Sequence, residues 1–181
     1  MLLKRKEFII LLSTILLICG VSVTISFLQL SSQKTNDFEK GIVTNTITET
    51  FENNVKTDVS VKNTGNVTSY IRASIIISYK NSEDVVLSEE PIANTDYKLE
   101  LSSSQNWLYS QDDGYYYYKL PVDANVSTDV LINRCTELNP KTGQTFNVDI
   151  VSQTIQATPK EAVEEAWPVT IDNNDNIVLG N

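Results

Sequence analysis

The sequence predicts an all-β domain, an antiparallel sandwich or barrel, behind an N-terminal hydrophobic segment. Three observations carry this expectation. Ile71, Ala73, Ile75, Ile77 and Tyr79 alternate with Tyr70, Arg72, Ser74, Ile76 and Ser78, the period of a strand that commits one face to a core. Shorter alternating runs recur along the chain between polar turns, the spacing of a sandwich or barrel. Only one stretch, near residue 160, carries the marks of a helix.

The chain opens on Met1-Leu2-Leu3-Lys4-Arg5-Lys6-Glu7 and continues apolar through residues 8–30. A basic head before a hydrophobic run is the layout of an export signal, because the cations stay on the cytoplasmic side. The run is also long enough to span a bilayer, which takes about 20 mostly apolar residues. Residues 1–30 therefore read as a cleaved signal peptide or a retained signal anchor helix, and both readings stay open. Export places the rest of the protein outside the cytoplasm, secreted or at the cell surface. Residues 31–37 form a polar linker, and residues 38–181 form one domain.

Strands follow in order. Phe38, Ile42, Val43 and Ile47 open the pattern; Thr57, Val59 and Val61 then alternate with Asp58, Ser60 and Lys62. Asn63-Thr64-Gly65-Asn66 is a turn before the long strand at 70–79. Val85-Val86-Leu87 is a short strand, and Tyr97, Leu99 and Leu101 alternate again. Trp107-Leu108-Tyr109 and residues 115–120 flank Asp113-Gly114, a hairpin signal. Residues 126–132 are the next strand, and Phe146, Val148 and Ile150 begin the last long one. Thr158-Pro159-Lys160-Glu161 reads as a capping box with proline at the first helical position. Ala162, Val163, Ala166 and Trp167 would form the apolar face of that helix. Residues 169–171 and 177–179 would close the chain as a hairpin.

The composition narrows the chemistry. Residues 1–30 hold Lys4, Arg5, Lys6 and Glu7, a net of +2, so the rest carries −11 of the overall −9. An acidic domain repels nucleic acid and anionic membrane surfaces, so neither is an expected partner, and membrane contact is confined to the N-terminal segment. The chain has no histidine, which removes the usual nucleophilic triads, the HExxH zinc motif and the commonest metal ligand. No phosphate-binding glycine motif is present, and no cofactor or metal site is expected. An enzyme is not the expectation. Cys135, the one cysteine beyond Cys19, cannot staple the domain and reads as a half-buried free thiol. Asp172-Asn173-Asn174-Asp175-Asn176 resembles the start of a calcium loop but has Ile177 where the glycine belongs, so it reads as a polar turn. Asn66 and Asn125 head sequons.

Two candidate contact features remain. Residues 38–47, with Phe38, Ile42, Val43 and Ile47, are either an edge strand or a donor strand that pairs with a neighbouring subunit. Trp107, Tyr115 and Tyr117 are either strand packing or an aromatic surface for sugar rings or a host protein. In the packing alternative Tyr116 and Tyr118 turn inward with Leu120 while Tyr115 and Tyr117 cover the outer face.

The strings FEKGIVTNTI (38–47), VSVKNTGNVTSYIRASIIISY (59–79), DGYYYYKLPV (113–122) and AVEEAW (162–167), in this order behind an export signal, resemble the TasA/camelysin-like exported proteins of Gram-positive bacteria. The late strings resemble a clostridia-like subgroup of uncharacterised exported proteins. The resemblance implies processing by a SipW-type signal peptidase and a jelly-roll-like sandwich at the cell surface or in a biofilm matrix. It further implies a homo-oligomer or fibre built by donor-strand exchange, with residues 38–47 as the donor. The protease activity attached to the camelysin name is not carried over, because the chain has no histidine.

Overall fold

A computed structural model describes residues 41–52 and 55–180. The expected export segment, the expected linker and Phe38 lie outside the described residues. The described chain is mostly antiparallel β-structure with one short helix. In order it runs β1 (Asn45–Glu52), β2 (Val55–Asn63), β3 (Ser69–Lys80), β4 (Tyr97–Leu101), β5 (Trp107–Tyr109), β6 (Tyr116–Tyr118), β7 (Ile132–Glu137), β8 (Thr145–Gln156), helix α1 (Lys160–Ala166), β9 (Val169–Ile171) and β10 (Ile177–Leu179).

Two four-stranded sheets face each other, one ordered β1-β2-β7-β4 and the other β5-β6-β3-β8. Their facing sides meet in one apolar cluster. Val59, Val61, Ile132 and Cys135 enter it from the first sheet, and Ile71, Ala73, Tyr79, Tyr118, Phe146, Val148 and Ile150 from the second. The β3–β8 ladder runs unbroken from Ser69↔Gln156 to Lys80↔Thr145, so the strand clearest in sequence is also the spine of its sheet. Phe146 sets its ring edge against Tyr79 at 6.1 Å and tilts against Tyr97 at 5.8 Å, linking the two sheets near one end.

A second, smaller cluster sits on the outer side of the β5-β6-β3-β8 sheet. Tyr70 and Tyr117 from that face meet Val163 and Trp167 of the α1 segment and Val169 and Ile177 of the β9–β10 ribbon. A seven-residue helix is not stable alone in water, so its order comes from this docking. Polar contacts surround the seam: Lys160 pairs with Asp175 at 2.5 Å, Glu164 accepts from the Ile171 N–H, and the Tyr70 hydroxyl donates to the Asp175 carbonyl.

Several expected boundaries move. Among the described residues the first strand begins at Asn45, because residues 41–44, expected to be strand, instead bond to the turn that follows β2. Residues 126–132 are not a strand; only Ser127 forms a bridge, with Lys62, and β7 runs instead from Ile132. Cys135 is fully buried on β7 rather than half-buried. Residues 85–87 contribute one bridge, Val86 to Lys80. The strand after the Asp-Gly turn ends at Tyr118, leaving Leu120 exposed instead of inward. Thr158 does not cap the helix. Ala157 still donates to the Thr68 carbonyl, Pro159 takes the cap position with no side-chain bond, and α1 starts at Lys160. Only Val163 and Trp167 of its expected apolar face are buried; Ala162 and Ala166 point to solvent.

Candidate functional site

The predicted donor segment divides into two parts. Residues 41–44 are not strand but are held to the turn after β2: Ile42 N–H donates to Asn66 Oδ1 at 2.6 Å, and Asn66 N–H donates to the Ile42 carbonyl at 3.0 Å. This fit requires Gly65. A Cβ there would stand 2.1 Å from the Ile42 carbonyl oxygen, closer than any real contact. Ile42 itself is 52% exposed and Val43 is half-buried.

Then β1 runs antiparallel to β2, with Ile47 opposite Val61 and leaning on the core. Among the described residues it is an edge strand with one ladder partner, and Ile47 is the only apolar side chain it lends to the core cluster. Phe51, its other large apolar residue, is 55% exposed.

Side chains of β1 also reach β8, the edge strand of the other sheet among the described residues. Asn45 Nδ2 donates to Thr154 Oγ1 at 2.5 Å, and Ser152 Oγ donates to Asn45 Oδ1 at 2.5 Å. Further along, Lys56 on β2 is buried, pairs with Glu49 of β1 at 2.9 Å and donates to the Val148 carbonyl of β8. Its inward direction comes from a bulge. Thr48 pairs with Ser60 but Thr50 with Thr57, and the extra residue is accommodated where Asp58 takes φ 57. The bulge shifts the alternation by one position, so Lys56 turns inward in place of Thr57. Period-two reading misses Lys56 for that reason. Lys56 sits beside Cys135 across the β2–β7 ladder; burial pushes the Cys135 thiol up to about 11, with Lys56 pulling the other way.

The predicted aromatic surface does not form. Trp107 pairs with Tyr118 and packs on the core side, its ring 5.1 Å from that tyrosine and its Nε1 donating to the Asp129 carbonyl. Tyr117, one residue earlier on β6, faces the opposite side of the sheet. The expected outward direction of Tyr115 and Tyr117 holds, but that side is roofed at Tyr117 by Trp167, 5.7 Å away, and Tyr117 is fully buried. Tyr115 is half-buried. The three residues thus share no exposed surface.

What Tyr115 and Tyr117 surround is an arginine that sequence reading passed over. The Arg72 guanidinium lies 4.1 Å from the Tyr115 ring centre and 4.9 Å from that of Trp167. It donates to Gln153 Oε1 from Nε and Nη2, and from Nη1 to the Tyr117 hydroxyl and Asp113, the last at 3.2 Å. The Tyr117 hydroxyl in turn donates a hydrogen bond to Asp113 Oδ2 at 2.5 Å. Burial and the hydrogen bond to Asp113 push Tyr117 up to about 12. Burial works to raise Asp113, but hydrogen bonds from Tyr117 and the Tyr115 N–H, with the Arg72 charge, hold it below the usual carboxylate range. Every partner of this guanidinium belongs to the chain itself, so the cluster fastens the α1–β9–β10 segment to the sandwich. The signal in sequence was Arg72 itself, the one charge among apolar and small residues at positions 70–79.

The Asp172–Asn176 turn likewise spends its oxygens internally. Asp172 accepts from the N–H groups of Asn174 and Asn176 and from Asn176 Nδ2. Among the described residues no group of three or more histidine, cysteine or acidic side chains is placed to hold a metal ion.

Fold and site together define an antiparallel β-sandwich whose first described strand, β1, lies at a sheet edge. No family model matches the chain, and neither does any curated protein or any solved structure.

Proposed function

We propose that this chain is an exported, non-enzymatic structural protein of a cell surface or biofilm matrix that assembles by strand exchange through β1. The observation that carries the reading is the anchoring of β1. It lies a few residues after the expected export and linker segments, has one ladder partner among the described residues and gives one side chain, Ile47, to the core. Releasing it uncovers the edge of β2, beside the buried Val59 and Val61, and this edge would accept the same strand from another copy. Covering one half-buried isoleucine is worth about 1 kcal/mol of apolar burial, so the apolar loss on release is small, and the β2 ladder, the Asn45 bonds to β8 and the Lys56–Glu49 pair would re-form with the same strand of another copy. On this reading the sandwich is jelly-roll-like. Successive strands β2, β3, β4 and β5 pass back and forth between the sheets, as do β6, β7 and β8, which supports that arrangement.

The register supplies the test. Thr48 and Ser60 are directly opposed in the β1–β2 ladder. In the double variant Thr48→Cys, Ser60→Cys, exchange between copies gives a ladder of disulfide-linked oligomers on a non-reducing gel, whereas a strand paired only at home gives a cross-linked monomer. A monomer band alone overturns the proposal and leaves a membrane-tethered monomeric surface protein. Mass spectrometry of the N-terminus of native protein adds a second reading, since a start at Met1 also means a tethered domain.

A further inference from the structure

The β5-β6-β3-β8 sheet has a strand missing along part of its length. On the side away from β8, β3 is paired at Arg72 and Ala73 by β6 and at Lys80 by Val86, but none of the described residues pairs residues 74–78 there. Strand alternation tells which groups are left. Ser69 exchanges two hydrogen bonds with Val122 on this side, and the Tyr79 carbonyl accepts from Leu87 N–H on the same side. Odd-numbered residues of β3 therefore aim their backbone this way, so Ile75 and Ile77 direct two N–H and two C=O groups at the gap.

The gap is a real space. A cavity of about 530 Å³ is lined by Ile75, Ile76, Ile77 and Ser78 in succession. Consecutive strand residues point to opposite faces, so a cavity touching all four runs along the edge of the strand, in the plane of the sheet. Tyr116 bounds one end and Val86 the other. The open stretch of about five residues spans about 17 Å. Ile76, Val86 and Tyr109 line it while 46%, 57% and 52% exposed, a concentration of uncovered apolar surface. Ser78, 8% exposed and also in the lining, has a buried Oγ with no hydrogen-bond partner. On the rim, Glu89 is paired with Lys141, whereas Glu90 is exposed with its carboxylate unpaired.

We propose that this slot binds an extended apolar peptide segment of another protein that carries a basic side chain, added to the sheet as a strand between β6 and Val86. The peptide backbone takes the free groups of Ile75 and Ile77, alternate apolar side chains cover Ile76 and Val86 on the outer face, and the cation meets Glu90. The charge separates this partner from a second copy of the chain. The exchangeable strand β1 carries Glu49 and Glu52 and would bring like charge to the Glu89–Glu90 rim. The proposal goes beyond exchange through β1 and does not depend on it.

The probe is a synthetic peptide of alternating valine and threonine flanked by lysines, titrated into the isotope-labelled full chain in mild detergent. The expected result is saturable movement of the Ile75 and Ile77 amide signals. Affinity should fall about two- to fivefold in Glu90→Lys and about tenfold when alternate peptide nitrogens are methylated. Equal binding of a glutamate-flanked peptide, movement confined to β1 or β8, or no saturation overturns the proposal. So does protection of the Ile75 and Ile77 amides by self-association without peptide, which would give the slot to a second copy.

Discussion

Replacing Trp167 by alanine tests whether one ring holds the C-terminal segment on the sandwich. Trp167 is 6% exposed, with its ring edge-on to Tyr117 at 5.7 Å and beneath the Arg72 guanidinium at 4.9 Å. Truncating a buried tryptophan costs about 3–5 kcal/mol, in which the ring pair accounts for about 1 kcal/mol. The indole lies in the smaller cluster, separate from the core between the sheets, so the loss should fall on α1 and the β9–β10 ribbon and spare the main ladders. Native-state hydrogen exchange reads this directly. The Ile177 N–H, bonded to the Lys119 carbonyl at 2.8 Å, should lose about 100-fold or more of its protection, since 1.4 kcal/mol is about tenfold. Amides of the β3–β8 ladder should keep theirs. Equal losses at Ile177 and in β3–β8 would show that segment and sandwich open together and would refute the division into two clusters. A loss below about tenfold would refute the anchoring role of the ring.

Three further outcomes are expected. Gly65→Ala places a methyl group against the Ile42 carbonyl, so residues 41–44 should detach from the turn; in the Thr48→Cys, Ser60→Cys background this should speed disulfide exchange between copies, and an unchanged rate would uncouple the turn from β1. Lys56→Met removes the amine from the Val148 carbonyl and from Glu49 and should lower the urea-unfolding free energy by about 1–3 kcal/mol, whereas an unchanged midpoint would mean the tie between the sheets is energetically silent. In alkali, Tyr70 and Tyr117 are both pushed up to about 12 and Cys135 up to about 11, all above their ordinary values. Folded protein then holds these protons more tightly than unfolded protein, so stability is full below about pH 9 and falls as pH rises towards 12. Spectroscopic titration of tyrosine should show a late-ionising class that merges with the rest on unfolding; a single class near 10 would contradict the burial described here.

Much of the sandwich was legible in sequence because alternation is a local property. Val59, Val61, Ile71, Ala73, Tyr79, Phe146, Val148 and Ile150 all face the core as their period-two pattern requires, and the chain reverses between β5 and β6 at Asp113-Gly114, where Gly114 takes φ 73. The choice between aromatic packing and aromatic surface stayed open in sequence for a reason equally physical. Alternation assigns Tyr117 to the face opposite Trp107, yet whether that face meets water depends on Trp167, fifty residues later in the chain. Lys56 was hidden by the bulge at Asp58, since one inserted residue reverses the inside and outside of everything before it.

Sequence alone determined that this protein is built of strands, which residues fill the space between its sheets, and that histidine chemistry is closed to it. Those conclusions rest on composition and on periods a few residues long. Tertiary structure decided which faces are roofed, which edges are free and how firmly each strand is held. Those depend on pairings between distant segments: β3 with β8, Asn45 with Ser152 and Thr154, Tyr117 with Trp167, Ile42 with Asn66. A local period tells each strand which way to face, but only the assembled sheets determine what it faces.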